Sequence, residues 1–139
     1  MLKVLKQVFL VRHGEDRGNG LNDNGKAQAT MAGEHIAKII KGTVLIITSP
    51  LQRAVETADI IKKVLIKSDK KCKVSLETRD HLDCDNSDHW ETMREIERCS
   101  VSIIVVSHQP VLEHLTGVNF KNGTVGIFDH KRGEVKIIT

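Results

Sequence analysis

Aromatic side chains are scarce in this sequence, which contains three Phe, one Trp and no Tyr. Proteins that bind single-stranded nucleic acid stack bases on exposed aromatic rings, and this chain has few rings to offer. It also has no basic tail, and its densest group of lysines, at residues 67–73, is interpreted as a solvated loop. We therefore expect no nucleic-acid partner.

Long apolar runs are missing as well. The run at residues 8–11 is ended after four residues by Arg12, so it is too short for a membrane span or a signal-peptide core. The three cysteines are odd in number and have no C-x-x-C spacing, which argues against both a disulfide framework and a thiolate zinc site. We expect a cytoplasmic protein with no membrane partner and no metal.

Apolar residues make up 40% of the 139-residue chain, which is enough for one buried core and too little for two ordinary domains. We predict a single domain over residues 1–139. Short β-branched runs alternate with longer segments of helical periodicity, a pattern typical of an α/β fold with a mostly parallel sheet. The predicted strands are residues 8–11, 43–48, 73–76 and 101–106, and a closing hairpin is predicted at 124–128 and 134–138.

Helices are predicted between these strands, at about residues 25–41, 49–67, 88–98 and 110–115. Gly42 is expected to end the first of them. Ser49 is predicted to cap the second, with Pro50 at its first helical position.

Polar side chains follow three of the predicted strands. Arg12 and His13 come directly after the first strand, Arg53 lies on the first turn of the helix after the second strand, and His108 follows the strand at 101–106. Ligands of open α/β sheets bind beyond the carboxyl ends of the strands, so we expect these four side chains to meet there.

Four ordered blocks of sequence resemble the motifs of the histidine phosphatase superfamily, which includes cofactor-dependent phosphoglycerate mutases and acid phosphatases. Residues 12–15 are similar to its R-H-G signature, and Asn19 stands where the longer R-H-G-E-x-x-x-N form has its asparagine. Residues 21–29 resemble its L-[ST]-x-x-G-x-x-Q-A block, residues 49–58 its S-P-L-x-R-A-x-x-T-A block, and His108 its second histidine. The short chain is most similar to phosphohistidine phosphatases of the SixA type.

The resemblance implies a three-layer α/β/α sandwich of the phosphoglycerate mutase type, with no cofactor. It implies that His13 accepts a phosphoryl group and that Arg12, Arg53 and His108 bind it, with Asn19 as a further contact. The residue types suit this chemistry, because fixed cations stabilise the charge on the equatorial oxygens of a phosphoryl group in transfer. The other ring nitrogen of His13 then needs an acceptor, either a local backbone carbonyl or Glu15.

A general acid for the leaving group is harder to assign. Gln109 follows His108 where acid phosphatases have an aspartate. Of the carboxylates after the third strand, we favour Asp83, although none lies in the sequence context of the mutases. A phosphoramidate has a nitrogen leaving group that solvent protonates readily, so the missing acid favours phosphohistidine in a protein as the substrate.

Two alternatives stay open. The substrate could be a small phosphomonoester, with Asp83 or Glu77 as the general acid. The chain could also bind phosphorylated ligands without turnover, since Glu56 stands where relatives often carry Gln.

Overall fold

The computed structural model describes residues 6–69 and 71–138. Four strands run parallel: β1 (Val8–Arg12), β2 (Val44–Thr48), β3 (Val74–Thr78) and β4 (Ser102–Ser107). Two further strands, β5 (Val125–Asp129) and β6 (Glu134–Ile137), form an antiparallel hairpin beside β1. The order across the sheet is β3-β2-β4-β1-β5-β6, so the expected mostly parallel sheet and its closing hairpin are confirmed.

Within the described ranges, four α-helices cover the two faces of this sheet: α1 (Asp23–Ala37), α2 (Gln52–Ser68), α3 (His89–Arg98) and α4 (Gln109–Thr116). Helices α1 and α2 pack together on one face, and α3 and α4 lie on the other. The α/β/α arrangement expected from the sequence is thus confirmed.

The alternation of side chains along β1 explains why both faces are covered. Phe9 and Val11 are buried with α1 and α2, whereas Val8 and Leu10 are buried with α3 and α4. Successive residues of a strand point to opposite faces, so a run of four apolar residues needs a helix layer on each side.

The register of the strands determines which side chains lie together at the candidate site. Strand β4 lies between β1 and β2, with Arg12 paired to Ser107 and Thr48 paired to Val106. The chain leaves all three strands at the same level of the same edge, which brings His13, Ser49 and His108 side by side. The convergence predicted for the strand ends therefore follows from the pairing itself.

The predicted cap of α2 is wrong. The helix begins at Gln52 after Leu51, whose backbone is extended, and no side chain caps it. The Ser49 hydroxyl hydrogen-bonds to His108 and accepts the N–H of Leu51 at 3.3 Å, so its local bond ends at the residue before the helix. Helix α1 also differs, because it starts at Asp23 with Asn22 as its cap and ends well before Gly42.

Among the described residues, no helix is long and apolar enough to cross a membrane. Helix α2 extends through Lys67, so the loop interpreted at residues 67–73 begins later than expected, and Lys70 lies outside the described residues.

Candidate active site

His13 is the buried centre of the site, with 5% of its surface exposed. Its Nδ1 lies 2.7 Å from the carbonyl oxygen of Gly14. A carbonyl can only accept, so Nδ1 carries the proton and Nε2 of the neutral ring keeps its lone pair. Of the two acceptors considered from sequence, the local carbonyl is used, while Glu15 accepts from the Asn22 side chain.

Arg53 lies directly against this lone pair, with its Nε donating to His13 Nε2 at 3.3 Å. The arginine is the second residue of α2, and side chains there lean toward the helix N-terminus and so toward the sheet edge. The pKa of His13 is lowered, chiefly by burial and further by Arg53 and Arg12, although the bond to Gly14 opposes this. The ring is therefore held neutral in the form that can act as a nucleophile.

His108 packs edge-on to His13, with ring centroids 5.0 Å apart. Its Nε2 hydrogen-bonds to the Ser49 hydroxyl at 2.8 Å, while its buried Nδ1 has no partner within the described part of the chain. Burial first, then His13 and Arg53, lower the pKa of His108 to about 4, against an opposing effect of Asp83. His108 is therefore neutral near pH 7.

Arg12 is anchored by its Nη1, which donates to the carbonyl of Phe120 at 2.8 Å. Its Nε is buried and finds no hydrogen-bond acceptor in residues 6–69 or 71–138. Burial lowers the pKa of Arg12, and Asp16 raises it. A buried donor without an acceptor costs about 1–3 kcal/mol, so this edge of the guanidinium is suited to an anionic ligand.

The backbone after His13 is held by close contact with α1 and α2. A Cβ on Gly25, in the first turn of α1, would collide with the carbonyl of Glu15, and one on Gly14 would meet the carbonyl of Gly25. Thr57 of α2 accepts the Gly14 N–H at 3.0 Å. These contacts fix the carbonyl that sets the tautomer of His13.

The structure brings together His13, Arg12, Arg53 and His108, as the sequence indicated. Asn19 is exposed and its Oδ1 accepts the N–H of Gly20, and no hydrogen bond links it to those four within the described residues. Asp83 lies close enough to His108 to raise its pKa, and its carboxylate accepts the N–H of Asp85.

Sequence reasoning missed several residues that build the site. Ser49 and Thr57 belong to the recognised block at 49–58, so a signal existed, although Ser49 was interpreted as a helix cap. The Phe120 carbonyl and the Asn122 amide, which donates to the His13 carbonyl at 3.2 Å, come from the loop before β5. That loop carries no local pattern that points to the site.

A family model described as the histidine phosphatase superfamily, branch 1, matches residues 8–99. The matched segment includes three of the four clustered side chains, and His108 lies beyond it. No curated protein matches the chain significantly by sequence.

Solved structures share the fold at low sequence identity. A protein from Agrobacterium tumefaciens assigned as the phosphohistidine phosphatase SixA is 19% identical at a TM-score of 0.66, with 99% of this chain and 97% of that chain covered. The protein histidine phosphatase SixA, solved with tungstate, is 18% identical at a TM-score of 0.69, with 96% of this chain and 94% of that chain covered. A phosphoglycerate mutase from Plasmodium falciparum is 21% identical at a TM-score of 0.64, with 96% of this chain and 89% of that chain covered.

Proposed function

Because this chain belongs to the histidine phosphatase superfamily, we propose that it is a phosphatase that forms a phosphohistidine intermediate on His13 and acts on phosphohistidine in a protein. One observation carries the proposal: His13 is buried with Nδ1 tied to a carbonyl and Nε2 facing the Arg53 guanidinium. That is the tautomer and the electrostatic setting that a nucleophilic imidazole needs.

In the first half-reaction, the Nε2 lone pair of His13 attacks phosphorus and the bond from phosphorus to the substrate nitrogen breaks. The leaving imidazole takes a proton from solvent. The Nδ1 proton of His13 stays on its bond to Gly14, so the phosphorylated ring is cationic and its charge is balanced by the dianionic phosphoryl group. A cationic ring is also a good leaving group for the next step.

In the second half-reaction, water attacks phosphorus and the bond to Nε2 breaks. The product is dihydrogen phosphate, and His13 returns directly to its neutral form. No residue has to supply or remove a proton in this step, because the water proton leaves with the product.

The surrounding side chains stabilise the charge that moves. We assign Arg53 and Arg12 to the equatorial oxygens, with neutral His108 donating through its Nδ1–H while its Nε2 accepts from the Ser49 hydroxyl. This requires the hydrogen bond from Arg53 to His13 to break as the phosphoryl group enters. Asn19 is retained as a proposed phosphate contact, reached by movement of the exposed loop that carries it.

A protein substrate suits the rim of the site. Helix α3 leads into β4, so its first turn lies at the same edge as His13, and Trp90 on that turn is 77% exposed. A large exposed aromatic side chain is a frequent anchor in protein interfaces. A cytoplasmic location is also proposed, since the three cysteines are all free thiols.

The nucleophile is tested by reacting the protein with a phosphohistidine-bearing protein, quenching in alkali and mapping the phosphorylated residue. We expect the label on His13 and none in His13→Ala. His114→Ala is the matched control, since this histidine is exposed on α4, and it should label normally. A label on any other residue would refute the mechanism.

A second candidate, hydrolysis of a small phosphomonoester, is favoured by the negative charge of Asp83, which is close enough to His108 to raise its pKa. Turnover of phosphohistidine protein is therefore compared with that of nitrophenyl phosphate and sugar phosphates, in the unaltered protein and in Asp83→Asn. If our proposal is right, phosphohistidine is the best substrate and Asp83→Asn changes its turnover less than about threefold. Loss of monoester turnover of about 10²-fold or more would instead identify Asp83 as a general acid. Phosphate binding without any turnover would identify a non-catalytic protein.

A further inference from the structure

We propose that Gln109 is a positioning residue that orients the Arg12 guanidinium through the backbone of Phe120. The inference rests on the proposed function only for the identity of the anion that Arg12 binds. The contacts that carry it belong to the protein alone.

The backbone of Phe120 is held at both of its polar atoms. Its N–H donates to Gln109 Oε1, and its carbonyl accepts from Arg12 Nη1 at 2.8 Å. A path of two hydrogen bonds and one residue therefore joins the side chain that follows His108 to the guanidinium beside His13.

Phe120 is rigid enough to transmit position. Its ring is fully buried in the core beneath α4, and a Cβ on Gly126 would lie 3.2 Å from the Phe120 Cζ. Gln109 is the first residue of α4, directly after His108 at the end of β4, so it is anchored as well. The backbones of Phe120 and Gln109 are thus both held in place, and the Gln109 amide links them through its hydrogen bond to the Phe120 N–H.

Anchoring matters because a free arginine loses much rotamer freedom when it binds an anion. With Nη1 held by Phe120, the buried Nε edge is pre-oriented. A planar guanidinium binds an oxyanion well only in a narrow range of orientations.

The choice of an amide at this position also has an electrostatic reason. A carboxylate could accept the same N–H, but it would place a negative charge next to His108 and Arg12. The Gln109 carboxamide supplies the acceptor without that charge, so the site keeps its positive potential.

The first test is Gln109→Met, which keeps the length of the side chain and removes the acceptor. We expect tungstate to bind about tenfold more weakly by calorimetry, because the guanidinium is no longer pre-oriented. We also expect the pKa of His13 in the ligand-free protein, followed by NMR, to rise as Arg12 drifts away. The matched control is Gln7→Met, which removes a glutamine bound to the backbone at the opposite edge of the sheet and should change neither value.

Repeating Gln109→Met in an Arg12→Met background tests whether the effect of Gln109 on His13 depends on Arg12. The rise in the pKa of His13 should then disappear, because no guanidinium is left to move. A rise of the same size in both backgrounds, or no change in either value in the single variant, would overturn the proposal.

One measurement needs no variant. The Phe120 amide hydrogen should exchange with solvent far more slowly than that of the neighbouring exposed Lys121, and equal rates would also overturn the inference. The proposed function is judged separately. If the unaltered protein forms the phosphoenzyme but Gln109→Met changes neither tungstate affinity nor the pKa of His13, only the positioning role is refuted. If no phosphoenzyme forms but Gln109→Met weakens tungstate binding and raises the pKa of His13 as expected, only the proposed function is refuted.

Discussion

Replacement of Thr57 by valine separates the stability of the site from its chemistry. Thr57 is fully buried, and its Oγ1 both accepts the Gly14 N–H at 3.0 Å and donates to the Arg53 carbonyl at 2.8 Å. Valine has the same shape but cannot accept, so the buried Gly14 N–H is left without a partner. An unpaired buried donor costs about 1–3 kcal/mol.

Part of this cost is offset because a methyl group replaces the hydroxyl in an apolar position. We therefore expect the free energy of unfolding to fall by about 1–2 kcal/mol, which lowers Tm by about 3–7 °C in a domain of this size. The Gly14 carbonyl that fixes the His13 tautomer belongs to the same loop. Its movement should slow phosphorylation of His13 at least about tenfold.

Thr57→Ser is the matched variant. It keeps the hydroxyl and loses one buried methyl group, which costs about 1 kcal/mol through the cavity that remains. The two variants should then have similar stability by urea denaturation, while only Thr57→Val is slow in single-turnover phosphoenzyme formation. Equal phosphorylation rates in the two would show that the Gly14 bond does not position the nucleophile.

Three further predictions concern stability and the loop after His13. The pKa of His108 is lowered from 6.5 to about 4 in the folded protein, so the unfolded chain binds more protons than the folded protein between these pH values. Urea denaturation should therefore show the free energy of unfolding falling by up to roughly 3 kcal/mol as the pH drops through this window. The fall should be less steep in His108→Gln. Gly25→Ala should lower the free energy of unfolding by more than about 2 kcal/mol, because its Cβ would collide with the Glu15 carbonyl, and a Tm within 2 °C of the unaltered protein would contradict this. Glu56 accepts the Leu21 N–H at 2.9 Å, so Glu56→Ala should cost about 1 kcal/mol in thermal denaturation, whereas Glu56→Gln, which keeps an acceptor, should be nearly neutral.

Much of the fold was predictable because its central strands, β1, β2 and β4, are buried on both faces and are therefore short apolar runs in the sequence. The β1 run and the β4 run were located to within one or two residues for this reason. Helix ends were less predictable, since Gly42 lies well past the end of α1 and the actual cap is Asn22.

The sequence by itself determined which side chains meet at the site. His13, Arg53 and His108 each follow a strand, and parallel strands end at one edge, so the sequence predicted that they share this edge, and the strand order β2-β4-β1 made them neighbours. Their catalytic roles stay predictions. The roles of Asn19 and Asp83 do as well, because each lies in a loop whose path depends on the rest of the protein.

Only the tertiary structure decided how these side chains are held. The Ser49 hydroxyl hydrogen-bonds to His108, 59 positions away, and Arg12 is anchored by a carbonyl 108 positions away. A hydrogen bond between distant residues depends on strand register and loop path, neither of which leaves a local pattern in the sequence. The sequence therefore determined the chemistry available at this edge, and the packed fold determined its orientation.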